Sequence, residues 1–136
     1  DRMNSVCVMD KNNPLAHGMT LENYVKCRHG MVSITGKGPG WMDGVLKSLG
    51  HSRRLSLRLS SFMSVAEFCE GTDLVFALPE RLAEHICNGR DLVMRPMPEE
   101  IPVSDIRFYL YWHERHHHDP MCIWVRQKIS QLFQSD

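Results

Sequence analysis

The stretch RFYLYWHERHHHDPMCIWVRQ, residues 107–127, admits two secondary structures, and the choice between them decides the fold. His113-Glu114-Arg115-His116-His117 satisfies the HExxH pattern of zinc hydrolases. That chemistry needs an α-helix, so that two imidazoles one turn apart reach one Zn²⁺ while the Glu polarises the metal-bound water. The residues before it argue for a strand instead, because Phe108 to Trp112 is aromatic-rich and alternates with period two. Asp119-Pro120 then looks like an N-cap followed by proline at the first helical position. The spacing therefore predicts a strand over 106–112, a loop over 113–118 and a helix from 120. Apolar residues at 121, 122, 124, 125, 129, 132 and 133 give that helix its stripe. No third ligand follows at a convincing spacing, so a zinc hydrolase using His113, Glu114 and His117 is kept only as an alternative. His116, His117 and His118 could hold a transition metal adventitiously. No catalytic residue, resident metal or cofactor is assigned.

Composition narrows the remaining classes. At 136 residues the chain suffices for one domain. Lys plus Arg and Asp plus Glu balance at 16 each, which excludes a global basic field for nucleic acid. Arg53, Arg54 and Arg58 could bind phosphate, but a solvated strand edge explains them equally well, and no nucleic acid is expected. No run of about 18 apolar residues and no signal pattern is present, so no membrane is expected. Five cysteines, odd in number and never in a CxxC pair, suit a reducing compartment, so a cytoplasmic protein is expected.

Outward from the C-terminal stretch, strands and helices alternate. Strands are expected at 5–9, 31–34, 55–59, 74–78 and 91–95. A helix capped by Thr20 carries Leu21 and Tyr24, and another carries Trp41, Met42, Val45 and Leu46 and stops at Gly50. Ser64-Val65-Ala66-Glu67 reads as a capping box, and Pro79 opens a helix with Leu82, Ala83 and Ile86 inward. Such alternation predicts an α/β fold with a mostly parallel sheet flanked by helices.

The order of short motifs then points further. Asn13-Pro14-Leu15-Ala16, His29 before a strand, Gly50-His51-Ser52-Arg53-Arg54, Thr72-Asp73-Leu74 and Leu78-Pro79-Glu80-Arg81-Leu82-Ala83 come in succession. Leu110-Tyr111-Trp112-His113, Asp119-Pro120 and Trp124-Val125-Arg126 complete the series. Over about residues 5–130 this resembles the effector-binding domain of LysR-type transcriptional regulators, nearest the branch of nodulation and aromatic-degradation regulators. The resemblance implies a periplasmic-binding-protein-like fold (type 2), here a second lobe with the C-terminal part of an incomplete first lobe. Residues 1–12 would be the outgoing crossover strand and hinge and 13–100 the second lobe. Residues 101–136 would be the returning crossover and the terminal helix of the first lobe. It also implies a small effector, aromatic or carboxylate-bearing, sensed by a homodimer or tetramer. Promoter DNA would be met only through an N-terminal domain that these residues do not include. A dimerisation-only module is the remaining alternative.

Two connections at the carboxyl edge of the expected sheet are the site candidates. Thr35, Gly36 and Lys37 lie between a strand and a helix, where backbone N–H groups could receive a carboxylate. Ser61 and Phe62 leave the next strand at the same edge. Trp112 and His113 are added as effector contacts because the resemblance places them where the chain re-enters the first lobe.

Overall fold

A computed structural model describes residues 4–33, 36–102 and 109–134. These fall into two units, residues 4–102 and residues 109–134. In the first, β1 (Ser5–Asp10), β2 (Arg28–Val32), β3 (Arg54–Leu59), β4 (Leu74–Pro79) and β5 (Leu92–Pro96) form one sheet in the order β3-β2-β4-β1-β5. β2 runs parallel to β3 and β4. β1 is antiparallel to both β4 and β5, so β5 shares the direction of β4. The mostly parallel sheet is therefore present, with β1 as its antiparallel member set between two strands rather than at an edge.

Helices cover both faces, which is why β1 and β4 are apolar at nearly every position rather than at alternate ones. Val6 and Val8 face the side packed by α3 (Val65–Cys69) and α4 (Glu80–Cys87), against Leu74, Phe76, Leu78, Ala83 and Ile86. Cys7 and Met9 face the other side, with Tyr24 of α1 (Leu21–Lys26), Met42 and Leu46 of α2 (Trp41–Ser48), Val75 and Ile101. Period two thus splits one strand between two cores.

Three local expectations change. β2 starts at Arg28, earlier than the apolar run 31–34 suggested, because His29 and Gly30 are buried inside the sheet between β3 and β4. The capping box at 64–67 does not form. A 3₁₀ turn over Phe62–Ser64 runs straight into α3, so Ser64 already has helical dihedrals and its side chain caps nothing. Arg53 is not a solvated charge, since its side chain is 3% exposed and bound to Asp43.

In the second unit, α5 (Pro120–Gln134) begins where Asp-Pro predicted, and Asp119 Oδ1 accepts the Cys122 N–H at 2.8 Å. Residues 109–113 carry no strand pairing, and the rest of the expected strand over 106–112 lies outside the described residues. Glu114–His116 is a 3₁₀ turn capped by His113, whose Nδ1 accepts the Arg115 N–H at 3.1 Å. HExxH therefore does not lie on an α-helix, and its two histidines are not stacked one helical turn apart. The turn is tied to α5 by Arg126, which donates to the carbonyls of His116 (3.1 Å) and His117 (2.7 Å). The same guanidinium lies 4.6 Å from the Trp112 ring centroid, and the Trp112 indole N–H donates to His117 Nδ1 at 3.2 Å. On α5 Met121, Trp124, Leu132 and Phe133 stay exposed. Among the described residues, no helix is long and apolar enough to cross a membrane.

Candidate functional site

The parallel strands β2, β3, β4 and β5 end at one edge of the sheet, and β1 starts there, Ser5 opposite Pro79 and Val6 opposite Pro96. β2 and β4 are neighbours whose following helices pack on opposite faces, α2 on the Cys7–Met9 side and α4 on the Val6–Val8 side. Where two such connections diverge, an open α/β sheet leaves a crevice. At the same edge a cavity of about 470 Å³, within the range usual for small-molecule sites, lies over the start of β1 and the end of β5, between the first residues of α2 and α4.

Trp41, the first residue of α2, forms one wall and Glu80, the first residue of α4, another. The start of β1 with Ser5 and Val6 and the end of β5 with Met94 and Pro96 complete it, and Met97 and Ile101 close it below the chain that leaves β5. Trp41 is 51% exposed, unusual for an indole that the sequence assigned to a helix's apolar stripe. Arg95 also lines the cavity, but its guanidinium is turned onto carbonyls: Nε donates to Ala16 O and Nη1 to Met94 O. The Glu80 N–H donates to Asn4 O at 2.9 Å, fastening α4 to the start of β1.

The loop leading to Trp41 is held from behind. Asp43 Oδ2 accepts the Gly40 N–H and Oδ1 accepts Arg53 Nε, each at 2.6 Å. Burial works against the charged Asp43, but the Arg53 and Gly40 hydrogen bonds outweigh it and its pKa is lowered. Arg58 Nη1 donates to Gly38 O at 2.9 Å, and Gly36 and Gly38 adopt φ of +65° and +80°, where a side chain would be strained. Asp43→Ala leaves Arg53 without its carboxylate in an enclosed position. Because Asp43 itself is partly solvated, the expected loss is about 2 kcal/mol, read as a lower urea midpoint at unchanged m-value.

Gly36, Lys37, Ser61 and Phe62 are not among the residues that line this cavity. Thr35 falls outside the described residues. Gly36 and Lys37 are exposed in the connection that leads to Trp41. Ser61 caps the 3₁₀ turn, its Oγ accepting the Met63 N–H at 3.2 Å, and Phe62 packs partly buried against the Val6–Phe76 core. Trp112 and His113 are engaged within the second unit by Arg126, His117 and Arg115. Trp41, Glu80 and Met94, which line the cavity, were not among the sequence-derived candidates. The signal for them was available, since the carboxyl-edge rule applied to the ends of β2 and β3 holds equally for Pro79-Glu80 and Pro96.

Other chemistry finds little footing. Among the described residues, no group of three or more His, Cys, Asp or Glu is placed to hold a metal. Burial pushes the Cys7 thiol up to about 12, with Cys27 adding to it, and burial pushes Cys69 up to about 12 as well, so both are protonated core groups at neutral pH.

Comparison with known proteins agrees with this architecture. The profile of the family described as LysR substrate binding domain matches residues 2–134. The HTH-type transcriptional activator NagR of a Ralstonia species is 32% identical over 129 residues, covering 94% of this chain and 42% of NagR. Nodulation protein D 1 of Sinorhizobium fredii is 28% identical over 127 residues, covering 93% of this chain and 39% of that protein. The chain thus spans less than half the length of these relatives. Among solved structures, the regulatory domain of MexT, a transcriptional activator in Pseudomonas aeruginosa, superposes with a TM-score of 0.76 at 21% identity. That match covers 96% of this chain and 62% of the other, and it supports the fold.

Proposed function

The chain belongs to the LysR substrate binding domain family, and from that premise we propose that it is the effector-sensing part of a transcriptional regulator, with its ligand in the cavity between Trp41 and Glu80. The observation that carries the proposal is the place of the cavity: it lies at the carboxyl edge of the parallel strands, over the start of β1 and the end of β5, and Trp41, which lines it, is left half-exposed. Gly36, Lys37, Ser61 and Phe62, on the connections after β2 and β3, are assigned to the outer rim of the same edge. Trp112 and His113 keep their assignment to effector contact on the family resemblance alone.

The domain catalyses nothing in this reading. It works by population shift: a ligand that binds one arrangement of the regulator better than another moves the equilibrium by that difference in affinity. Residues 13–100 form the second lobe, 1–12 lead into it, and 101–136 return to the first lobe, whose remainder would cover the apolar face of α5. The whole regulator is a cytoplasmic homo-oligomer that meets promoter DNA through a separate domain.

A thermal melt of this chain against a panel of small aromatic and aliphatic acids, alcohols and amines tests the site. A ligand bound only by the native state at about a hundred times its Kd stabilises that state by about 2.7 kcal/mol, a clear upward shift in Tm. The shift should vanish in Met94→Trp, which fills the cavity. A shift that survives Met94→Trp places the ligand elsewhere, and no shift with any compound removes the support for a sensor.

A further inference from the structure

The charges around the cavity bear on which end of an effector it holds, an inference that rests on the reading of this cavity as the ligand site. Two carboxylate residues, Glu80 and Glu99, line it, and the single cationic residue lining it, Arg95, has its guanidinium committed to the carbonyls of Ala16 and Met94. One backbone N–H at each helix start is already taken. At α2 the Gly40 N–H is taken by Asp43, and at α4 the Glu80 N–H is taken by Asn4 O. Each helix also carries an acid in its first turn, Asp43 and Glu80, which complements the positive end of the helix dipole before any ligand arrives. An incoming carboxylate would meet like charge. The walls, by contrast, suit a flat apolar body: the Trp41 indole, the adaptable thioethers of Met94 and Met97, and Pro96 and Pro98.

We infer that the cavity takes an aromatic ring bearing a hydrogen-bond donor or a positive charge, with Glu80 as the residue that sets this preference, and that it disfavours a carboxylate. Any acid group of an effector must then be recognised outside the cavity. A flat ring lies against Trp41, its donor group is accepted by the carboxylate of Glu80, and the adjacent Glu99 reinforces the sign of the local field.

Three one-ring probes that differ only in their polar group separate the possibilities: benzylamine, benzyl alcohol and benzoate, titrated against this chain with Kd read by ligand-observed NMR. The amine and the alcohol should bind at least ten-fold more tightly than benzoate. Glu80→Gln should bring the amine to parity with the alcohol, and Glu99→Gln should produce a smaller loss of the same sign. Met94→Trp should weaken every probe that binds. Benzoate binding as tightly as the others, while Met94→Trp still abolishes it, would overturn the ligand class and leave the cavity as the site. An unchanged ranking in Glu80→Gln overturns the role of that residue. Binding indifferent to Met94→Trp, or no binding by any probe at millimolar concentration, overturns the cavity itself.

Discussion

Gly30→Ala is expected to lower stability by about 3 kcal/mol or more, although alanine is ordinarily the better residue within a strand. Gly30 sits on β2 in register with Phe76 on β4, and the Phe76 ring is fully buried across it. A Cβ at position 30 would lie 2.0 Å from Phe76 Cζ and 2.2 Å from Cε1. The gain from replacing glycine in a strand is about 0.5–1 kcal/mol, far below the cost of that overlap. The ring has no room to withdraw, because Val8, Leu78 and the residues of α3 and α4 close the same core around it. Phe76→Leu alone should cost less, and in the Gly30→Ala background it should restore part of the loss, since the two positions share one space. Urea melts of the two single variants and the double variant check this. Additive losses, or a Gly30→Ala midpoint equal to that of the parent, would mean the sheet shifts to make room.

The second large effect is a dependence on pH set by His29. The ring is fully buried on β2, and its Nε2 lies 2.7 Å from the carbonyl of Tyr24, so the proton of the neutral imidazole sits on Nε2. Its Nδ1 is buried with no hydrogen-bond partner, and the Tyr24 ring packs edge-on at 4.5 Å between centroids. Desolvation is the main cause that brings its pKa from 6.5 to about 4. The Tyr24 carbonyl and Asp43 oppose the shift, and Arg53 adds to it. Between those two values the unfolded chain binds the proton and the folded chain does not. Stability from this group is therefore complete above about pH 6.5 and falls as the pH drops towards 4, by about 3 kcal/mol across that interval. Carboxylates whose pKa is lowered in the fold, such as Asp10 and Asp43, lose their contribution at lower pH still, so the histidine window stands apart from acid denaturation. His29→Gln will be less stable at neutral pH, but its stability should be nearly flat between pH 6.5 and 4.5. A slope as steep in the variant as in the parent would assign the effect to other histidines.

These two neighbours also show where the sequence was opaque. The continuous apolar run 74–78 declares a strand buried on both faces, and Asp119-Pro120 declares a helix start, because each signal is local. Arg28-His29-Gly30 carries no such signal. A polar ring and a residue without a side chain look like a turn until Phe76 and Tyr24, distant in the chain, are seen to occupy the space they leave. The cavity was half legible for the same reason. The carboxyl edge follows from strand direction, whereas the part of the edge left open depends on how α2 and α4 divide between the two faces. The burial of Arg53 could not be read from a run of arginines, since only the partner Asp43 distinguishes it from Arg54.

The position of β1 has a consequence for how the sheet assembles. It is the earliest of the described strands in the chain, yet both of its neighbours, β4 and β5, come after β2 and β3. As the chain leaves the ribosome, the run Val6-Cys7-Val8-Met9 must wait without a partner until β4 has emerged, and its second edge must wait for β5. Pairings so distant in sequence are slow to form, and an unpaired apolar strand is a template for other chains meanwhile. β1 ends as a slat held between two others. A lesion there would part the sheet through its middle, whereas the same lesion in β3 would only shorten an edge.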